Sequence, residues 1–512
     1  TGTRVNEDYL IEDVPYNFVT YSEEIKSTNS WTIQSGVTVT NNDVLAPNGT
    51  LTADKLVGNG TSGVFKQVTN LDGVVTRSVY LKSVTGNVSV TIKDPVLTQT
   101  TKTLNLNETW QRYTLTEDNL HTGSIQGIWI DDIPASGIYM WGAQIVKGDQ
   151  PKEYLKTTDR LDIPRIDYTN GEPSILLEPS RTNLITYSND FTNAAWTKGN
   201  STITANNTTS PEGLVNASKL TENTATSSHR VEETVTVSNG ATVTCSVYAK
   251  KGERNFILLF ESNSADGAYF NLDTGKFVRV DGTPVDYNIQ DLKNGWYRCS
   301  IVVTVPSTSC RFQIYMTQTS NTSSYTGDGS SSMFIYGAQI EEGSYPTSLI
   351  HTSGSAVTRS ADAANNAGNS DLINSTEGVL YAEFQGLADD GTARTLSINN
   401  TVSNRVFMQL RSATGQVNSG VVVGGSLQGS SLSDNITQTD NIKMAFKYKA
   451  SDYALYVNGS EVATQASGST FSAGTLNDLS FDSGDGAEDF FGKVKSVMVF
   501  KEALTDLELE KL

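Results

Sequence analysis

Asn17-Phe-Val-Thr-Tyr-Ser22 returns as Asn183-Leu-Ile-Thr-Tyr-Ser188, and each copy is followed by a tryptophan, Trp31 and Trp196. The echo continues in the same order. Ala53-Asp-Lys-Leu56 is answered by Ala217-Ser-Lys-Leu220, and Val79-Tyr-Leu-Lys82 by Val247-Tyr-Ala-Lys250. Trp110-Gln-Arg112 pairs with Trp296-Tyr-Arg298, and Tyr139-Met-Trp-Gly-Ala-Gln-Ile145 with Phe334-Ile-Tyr-Gly-Ala-Gln-Ile340. The offset drifts from about 165 to about 195 residues. Solenoid repeats run to roughly 20–50 residues, so this period is that of a duplicated whole domain.

Between the landmarks lie short β-branched or alternating runs, at 32–40, 74–82, 88–92, 125–130 and 137–146, punctuated by Gly, Asn and Asp. No segment between them carries a helical period beyond about two turns. Strands of this length and spacing predict a β-sandwich, in which two inner faces bury alternate residues. The copies span residues 17–154 and 183–350, and the second is longer because residues 254–280 insert a richer β segment. Residues 1–16 lack a sustained period and read as an incoming linker. Residues 155–182 read as a hairpin clasp around Asn170-Gly171, and residues 351–376 as a small-residue linker. A different domain follows over 377–512, with alternating runs, an Asn458-Gly459 hairpin turn, a last strand near 491–500 and a closing helix over 504–512 capped by Thr505. There Leu504, Leu507 and Leu512 offer apolar contacts. The expected fold is all-β: three β-sandwich/jelly-roll domains in tandem, joined by the hairpin clasp and the small-residue linker.

At 512 residues and a formal charge of −19 the chain is long enough for three or four domains and too acidic for a nucleic-acid face. Its three cysteines, Cys245, Cys299 and Cys310, all fall in the second copy and read as free thiols in or near a core. No apolar run approaches the ~20 residues of a membrane span, so membrane insertion is not expected. The chain begins Thr1-Gly2, as it does when residues are removed upstream or when it is a fragment of something longer.

The last domain resembles laminin-G-like and concanavalin-A-like jelly rolls, through Leu380-Tyr-Ala-Glu-Phe384, Tyr453-Ala-Leu-Tyr-Val-Asn-Gly459 and Phe491-Gly-Lys-Val-Lys-Ser-Val-Met-Val-Phe500. The two copies resemble carbohydrate-binding-module-like jelly rolls of bacteriophage virion proteins. The residues that carry this are Pro173-Ser-Ile-Leu-Leu-Glu-Pro-Ser-Arg-Thr-Asn-Leu-Ile-Thr-Tyr-Ser188, Phe191-Thr-Asn-Ala-Ala-Trp196 and Tyr336-Gly-Ala-Gln-Ile-Glu-Glu-Gly343 with Tyr345-Pro-Thr-Ser348. The resemblance implies a non-enzymatic virion surface protein, a head or tail fibre or appendage. It would bind glycans or project a receptor-binding tip, with other virion proteins as partners, in a homo-oligomer. Similar modules occur in secreted polysaccharide-active enzymes, so the alternative is the non-catalytic carbohydrate-binding portion of such an enzyme. A third reading is a structural decoration without a ligand.

Catalytic patterns are thin. His121, His229 and His351 are scattered and read as solvated loop residues, and Gly424-Gly-Ser426 lacks the rest of a nucleophile elbow. No cofactor is required. Asp482-Ser-Gly-Asp-Gly-Ala-Glu-Asp489 concentrates hard oxygen ligands, so Asp482, Asp485, Glu488 and Asp489 are candidates for a structural calcium, against a plain solvated loop. For glycan contact an aromatic face beside hydrogen-bonding side chains is wanted. Trp31/Trp196, Trp110/Trp296 and Trp141/Tyr336 match between copies and read as packing residues. Trp129 alternates with Ile128 and Ile130, so it should point outward if they point in, and Tyr315 aligns with it. Arg254, Phe260 and Tyr269 of the longer second copy complete the candidate carbohydrate-binding set.

Overall fold

The computed structural model describes residues 2–14, 16–68, 73–94, 100–119, 126–158, 165–411, 415–429 and 431–512. His121, Ile125 and the first part of the hairpin clasp (159–164) lie outside them. Strands dominate, with a single α-helix, Asp506–Leu509, among the described residues. The chain divides into two compact units, Pro15–Pro164, and Thr1–Val14 with Arg165–Leu512.

Pro15–Pro164 is one sandwich. One sheet runs Gln111–Asn119, Gly73–Ser83, Ile138–Lys147, Ala53–Val57, Thr38–Val44. The other runs Trp31–Ile33, Val64–Val68, Gln126–Asp131, Val88–Lys93, Thr101–Leu106. The run read as one strand over 32–40 is two, one in each sheet. It breaks where Gly36 takes φ +90°, a left-handed conformation that glycine adopts at little cost. Ile128, Ile130, Val79 and Leu81 alternate into the core between the sheets.

The second copy repeats this strand order. Tyr297–Thr304, Thr242–Lys251, Ser332–Glu342, Val215–Glu222 and Ser201–Thr209 form one sheet in the same sequence of neighbours. Thr197–Gly199, Thr226–Thr236, Ser309–Thr317, Phe256–Glu261 and Asp266–Asn271 form the other. The extra length does not lie over 254–280 as the sequence suggests. Phe256–Glu261 and Asp266–Asn271 take the places of Val88–Lys93 and Thr101–Leu106, and the added residues follow them, giving each sheet one further edge strand, Lys276–Asp281 and Asp286–Asp291. Local details repeat as well. Gly142 and Gly337, φ +65° and +58°, sit where the register slips in matching strands. The Trp31 and Trp196 indoles donate to Tyr21 O and Tyr187 O at 3.2 and 2.9 Å. Those of Trp110 and Trp296 donate to Leu45 O and Thr209 O at 3.1 and 3.0 Å. Cys245, Cys299 and Cys310 are free and buried in the second core.

Residues 1–16, expected to be a linker, contain a hairpin instead. Thr3–Val5 pairs with Ile11–Asp13, and Ile11 is buried with Tyr248, Trp296, Tyr336 and Leu349. Apolar Val5 and Ile11 explain this, since they have a face to cover. In the clasp, Ile166–Asp167 pairs with Ser174–Leu177 around Asn170-Gly171, and Ser174–Leu177 continues onto Gly492–Phe500 of the third sandwich. The small-residue linker is tied down too, because Val357–Arg359 pairs with Arg181–Asn183 and Ala367 bridges Leu479.

The third sandwich packs Gly492–Phe500, Glu377–Gly386, Ile442–Lys449, Tyr453–Val457 and Ser460–Gln465 against Gln416–Val423, Asn404–Leu410, Arg394–Thr401 and Asp478–Ser480. Asn458 and Gly459, both at positive φ, make the hairpin turn that the sequence predicts. The closing helix is shorter than expected. Its Thr505 N–H donates to Glu508 at 2.8 Å, and Leu509 is buried while Leu507 is exposed.

Candidate binding face

Strand alternation sends every second residue of Ser309–Thr317 and Thr226–Thr236 away from the core. Phe312, Ile314 and Val231 are buried inward; Gln313, Tyr315, Arg230 and Glu232 therefore share the outer face. Register then fixes their neighbours. Arg230 lies opposite Tyr315, Tyr315 opposite Leu258, and Gln313 opposite Phe260.

These side chains hold one another. The Tyr315 hydroxyl donates to Gln313 Oε1 at 2.9 Å, and the Gln313 amide donates to Glu232. Arg230 Nε donates to Glu232 at 2.8 Å while its guanidinium lies 5.4 Å from the Tyr315 ring centroid. Phe260 meets Tyr315 edge-on at 6.4 Å. Burial pushes the Glu232 carboxyl up, but the hydrogen bonds from Arg230 and Gln313 outweigh it and hold the group ionised below its ordinary range. The result is a half-exposed aromatic pair fixed beside a carboxylate, an amide and a guanidinium.

In the first sandwich the same register places Trp129 opposite Phe65 and Lys93. Ile128 and Ile130 are fully buried, and Trp129, half-buried, lies on the outer face as alternation requires. Its ring is not bare. Lys93 Nζ sits 3.8 Å from the ring centroid and is held there by Asp131 at 2.6 Å, and Phe65 packs at 5.1 Å. The buried Trp129 Nε1 has no hydrogen-bond partner.

The structure thus brings Tyr315 and Phe260 together, and puts Trp129 on the same face of the matching strand in the other copy. The alignment of Trp129 with Tyr315 is off by two residues, because Thr32 and Thr197 face Phe65 and Glu232, and these face Trp129 and Gln313. Two other candidates fall away. Tyr269 shares the face but is 1% exposed, with the Arg279 guanidinium 4.1 Å over its ring; no sugar can reach it. Arg254 precedes its strand and is consumed by a bidentate pair with the buried Glu222, at 2.9 and 2.6 Å. A long polar side chain beside a β run gave no sign of this distant partner. Arg230, Glu232 and Gln313 were missed, although the alternation of Arg230-Val-Glu232 with Gln313-Ile-Tyr315 carries the signal.

The matched aromatics pack rather than bind. Trp31 and Trp196 are in the two main cores. Trp141 and Tyr336 lie in separate small clusters with Trp110 and Trp296, on the outer side of the other sheet. His229 is buried, not solvated, with Nδ1 2.7 Å from Asn200 O. His351 is half-buried and 2.8 Å from Glu212.

The four acidic residues near the C-terminus do not gather. Asp485 accepts from Ser483 and Ala487 within its loop, and Glu488 turns to Thr395 and Gln409 at 3.0 and 2.8 Å. Among the described residues no three His, Cys, Asp or Glu side chains are placed to share an ion. Nor is any helix there long and apolar enough to cross a membrane.

A scan against protein families matches no model, and a search of curated proteins returns no match. Among solved structures, the chain is similar to the tandem CBM22 modules of Paenibacillus barcinonensis Xyn10C, at 15% identity and a TM-score of 0.23 over 65% of this chain and 99% of that one. Domains LG4–5 of the mouse laminin α1 chain match at 11% and 0.20, over 55% and 90%. A toad ovary galectin in complex with thio-digalactose matches at 10% and 0.21, over 27% and 99%. Likeness at this level carries no argument about a ligand.

Proposed function

We propose that this chain is a non-enzymatic glycan-binding protein of a bacteriophage virion surface, part of a head or tail fibre or appendage. The observation that supports glycan binding is the outer face of the second sandwich. Tyr315 and Phe260 present half-exposed rings beside Glu232, Gln313 and Arg230. Sugar C–H faces stack on such rings, and their hydroxyls accept from the Arg230 guanidinium and donate to the Glu232 carboxylate, which the buried Gln313 holds in place. Because the polar groups already fix one another, little side-chain freedom is lost on binding. A single face of this size binds weakly, so copies displayed together in a homo-oligomer would supply the avidity. The virion assignment rests on the resemblance carried by Pro173–Ser188 and the Tyr336–Gly343 segment. With a net charge of −19 the surface suits carbohydrate or protein partners rather than nucleic acid.

The test has two arms. Labelled full chain is applied to a glycan microarray, and antibody to the chain is applied to intact phage particles under the electron microscope. Retention on a defined glycan set, and label on the particle surface, support the reading. Silence on the array leaves the structural-decoration alternative in its place.

A further inference from the structure

The unit formed by Thr1–Val14 and Arg165–Leu512 carries an open cleft of about 460 Å³, well away in the fold from the Tyr315 face because it lies on the other sheet of the second sandwich. That volume is in the range of small-molecule sites, roughly 300–1,000 Å³. Its floor is the outer side of the sheet that ends in Asp286–Asp291, an edge strand that the first copy lacks. Ile289 points to the core, so Asp286, Asn288 and Gln290 point to the cleft. Opposite them on the next strand stand Val302, Ser300 and Arg298. The N-terminal hairpin, the Asn170-Gly171 hairpin and Gln385 with Lys493 of the third sandwich close the sides.

The lining's charges are mostly spent. Lys493 pairs with Asp167 at 2.8 Å, Arg4 with Glu12 at 2.7 Å, and Glu178 with Arg165 and Arg359. Arg298 is 7% exposed, donates to Ser246 Oγ at 3.1 Å, and has no carboxylate within ion-pair distance among the described residues, although its charge acts on the buried Glu341. Its Nε, like those of Arg165 and Arg359, makes no hydrogen bond. A buried guanidinium N–H left unmatched beside a cleft has a donor to give to whatever fills it.

We infer that this cleft is a second binding site, for one or two residues of a neutral glycan, built by the added edge strand. Asn288, Gln290 and Ser300 each offer both donors and acceptors, which is what sugar hydroxyls need. Four lining carboxylates, Asp167, Glu178, Asp286 and Asp291, disfavour phosphate or another strong anion. The site stands on its own residues and does not depend on the Tyr315 face.

The test is saturation-transfer-difference NMR on the full chain with four free disaccharides, cellobiose, maltose, lactose and N,N′-diacetylchitobiose. Asn288→Ala/Gln290→Ala carries changes only on an edge strand at exposed or half-buried positions, so it should keep the wild-type melting temperature. Transfer to at least one disaccharide is expected from the wild type. It should fall at least fivefold in Asn288→Ala/Gln290→Ala and persist in Tyr315→Ala, which alters only the sheet face. Arg298→Lys, which keeps the charge but removes the unmatched Nε–H, should weaken it too. No transfer from any of the four, or transfer untouched by Asn288→Ala/Gln290→Ala, overturns the inference. Transfer abolished by Tyr315→Ala alone also overturns it, while supporting the sheet face.

Discussion

A buried asparagine closes each of the first two sandwiches in the same way. Asn183 donates to Ala338 O and Ile350 O at 3.2 and 2.8 Å and accepts from Ile185 N and Ile340 N at 3.1 and 3.2 Å. Asn17 donates to Ala143 O and Leu155 O and accepts from Val19 N and Ile145 N. Alanine at Asn183 would strand four buried backbone groups. Since each unmatched group costs about 1–3 kcal/mol, Asn183→Ala should lose at least about 3 kcal/mol in urea unfolding, and Asn17→Ala a similar amount. A loss under about 1 kcal/mol in either would show that the matched hydrogen bonds are incidental. His351 gives a pH-dependent term. Burial opposes its charge, but the hydrogen bond and charge of Glu212, with Asp13 beyond, outweigh burial and raise its pKa above the ordinary 6.5. A raised histidine stabilises fully below its unfolded pKa and loses that contribution as pH rises through the folded value. The melting-temperature gap between wild type and His351→Gln should therefore be widest below the ordinary histidine value of 6.5 and shrink as pH rises through the higher folded one. A gap that does not change with pH would exclude the ion pair.

At the scale of elements, the connectors are structural parts with buried polar anchors. Glu178, at the end of Ser174–Leu177, receives Arg165 Nη1 at 2.6 Å, Arg359 Nη1, and both the N–H and hydroxyl of Ser348 at 2.8 and 2.7 Å. One carboxylate thus joins the clasp, the close of the second sandwich and the Val357–Arg359 strand. Burial pushes its pKa up, yet the two arginines and Ser348 outweigh that and lower it. Glu178→Ala leaves Arg359 buried without its charge partner and Arg165 with Asp362 alone, so a loss of about 3–5 kcal/mol is expected. The wild type should lose this contribution in acid, as pH falls below the ordinary carboxylate value of 4.5 through the folded one. Equal acid sensitivity in wild type and Glu178→Gln would contradict the assignment.

For the whole molecule, the sequence was most legible where local chemistry decides structure. Duplicated landmarks announced a shared strand order, alternation put Ile128 and Ile130 inside and Trp129 outside, and Asn458-Gly459 marked its turn. Long-range pairing was not legible. Nothing near Arg254 in the chain points to Glu222, and nothing in residues 1–16 points to the Trp296 and Tyr336 cluster that Ile11 covers. The acidic run from Asp482 to Asp489 looked like a cation site because spacing alone does not say that Glu488 serves Thr395 and Gln409. Nor could alternation say that Arg279 covers Tyr269 while Tyr315, with Arg230 farther from its ring, stays half-exposed.

The central claim is that the outward aromatics serve a ligand rather than the core. Both properties can be read on the same samples, by measuring melting temperature and glycan-array retention for wild type, Tyr315→Ala and Trp129→Ala. A fully buried large aromatic costs roughly 3–5 kcal/mol when cut to alanine, and a half-exposed one on a sheet face costs much less. A stacked aromatic adds about 0.5–1.5 kcal/mol to an interaction beyond its buried area, enough to erase weak retention. Tyr315→Ala is expected to melt within a few degrees of wild type and to lose retention, with Trp129→Ala showing a smaller loss because Lys93 covers one face of its ring. A Tyr315→Ala protein that melts far lower, or one that keeps full retention, would contradict the claim.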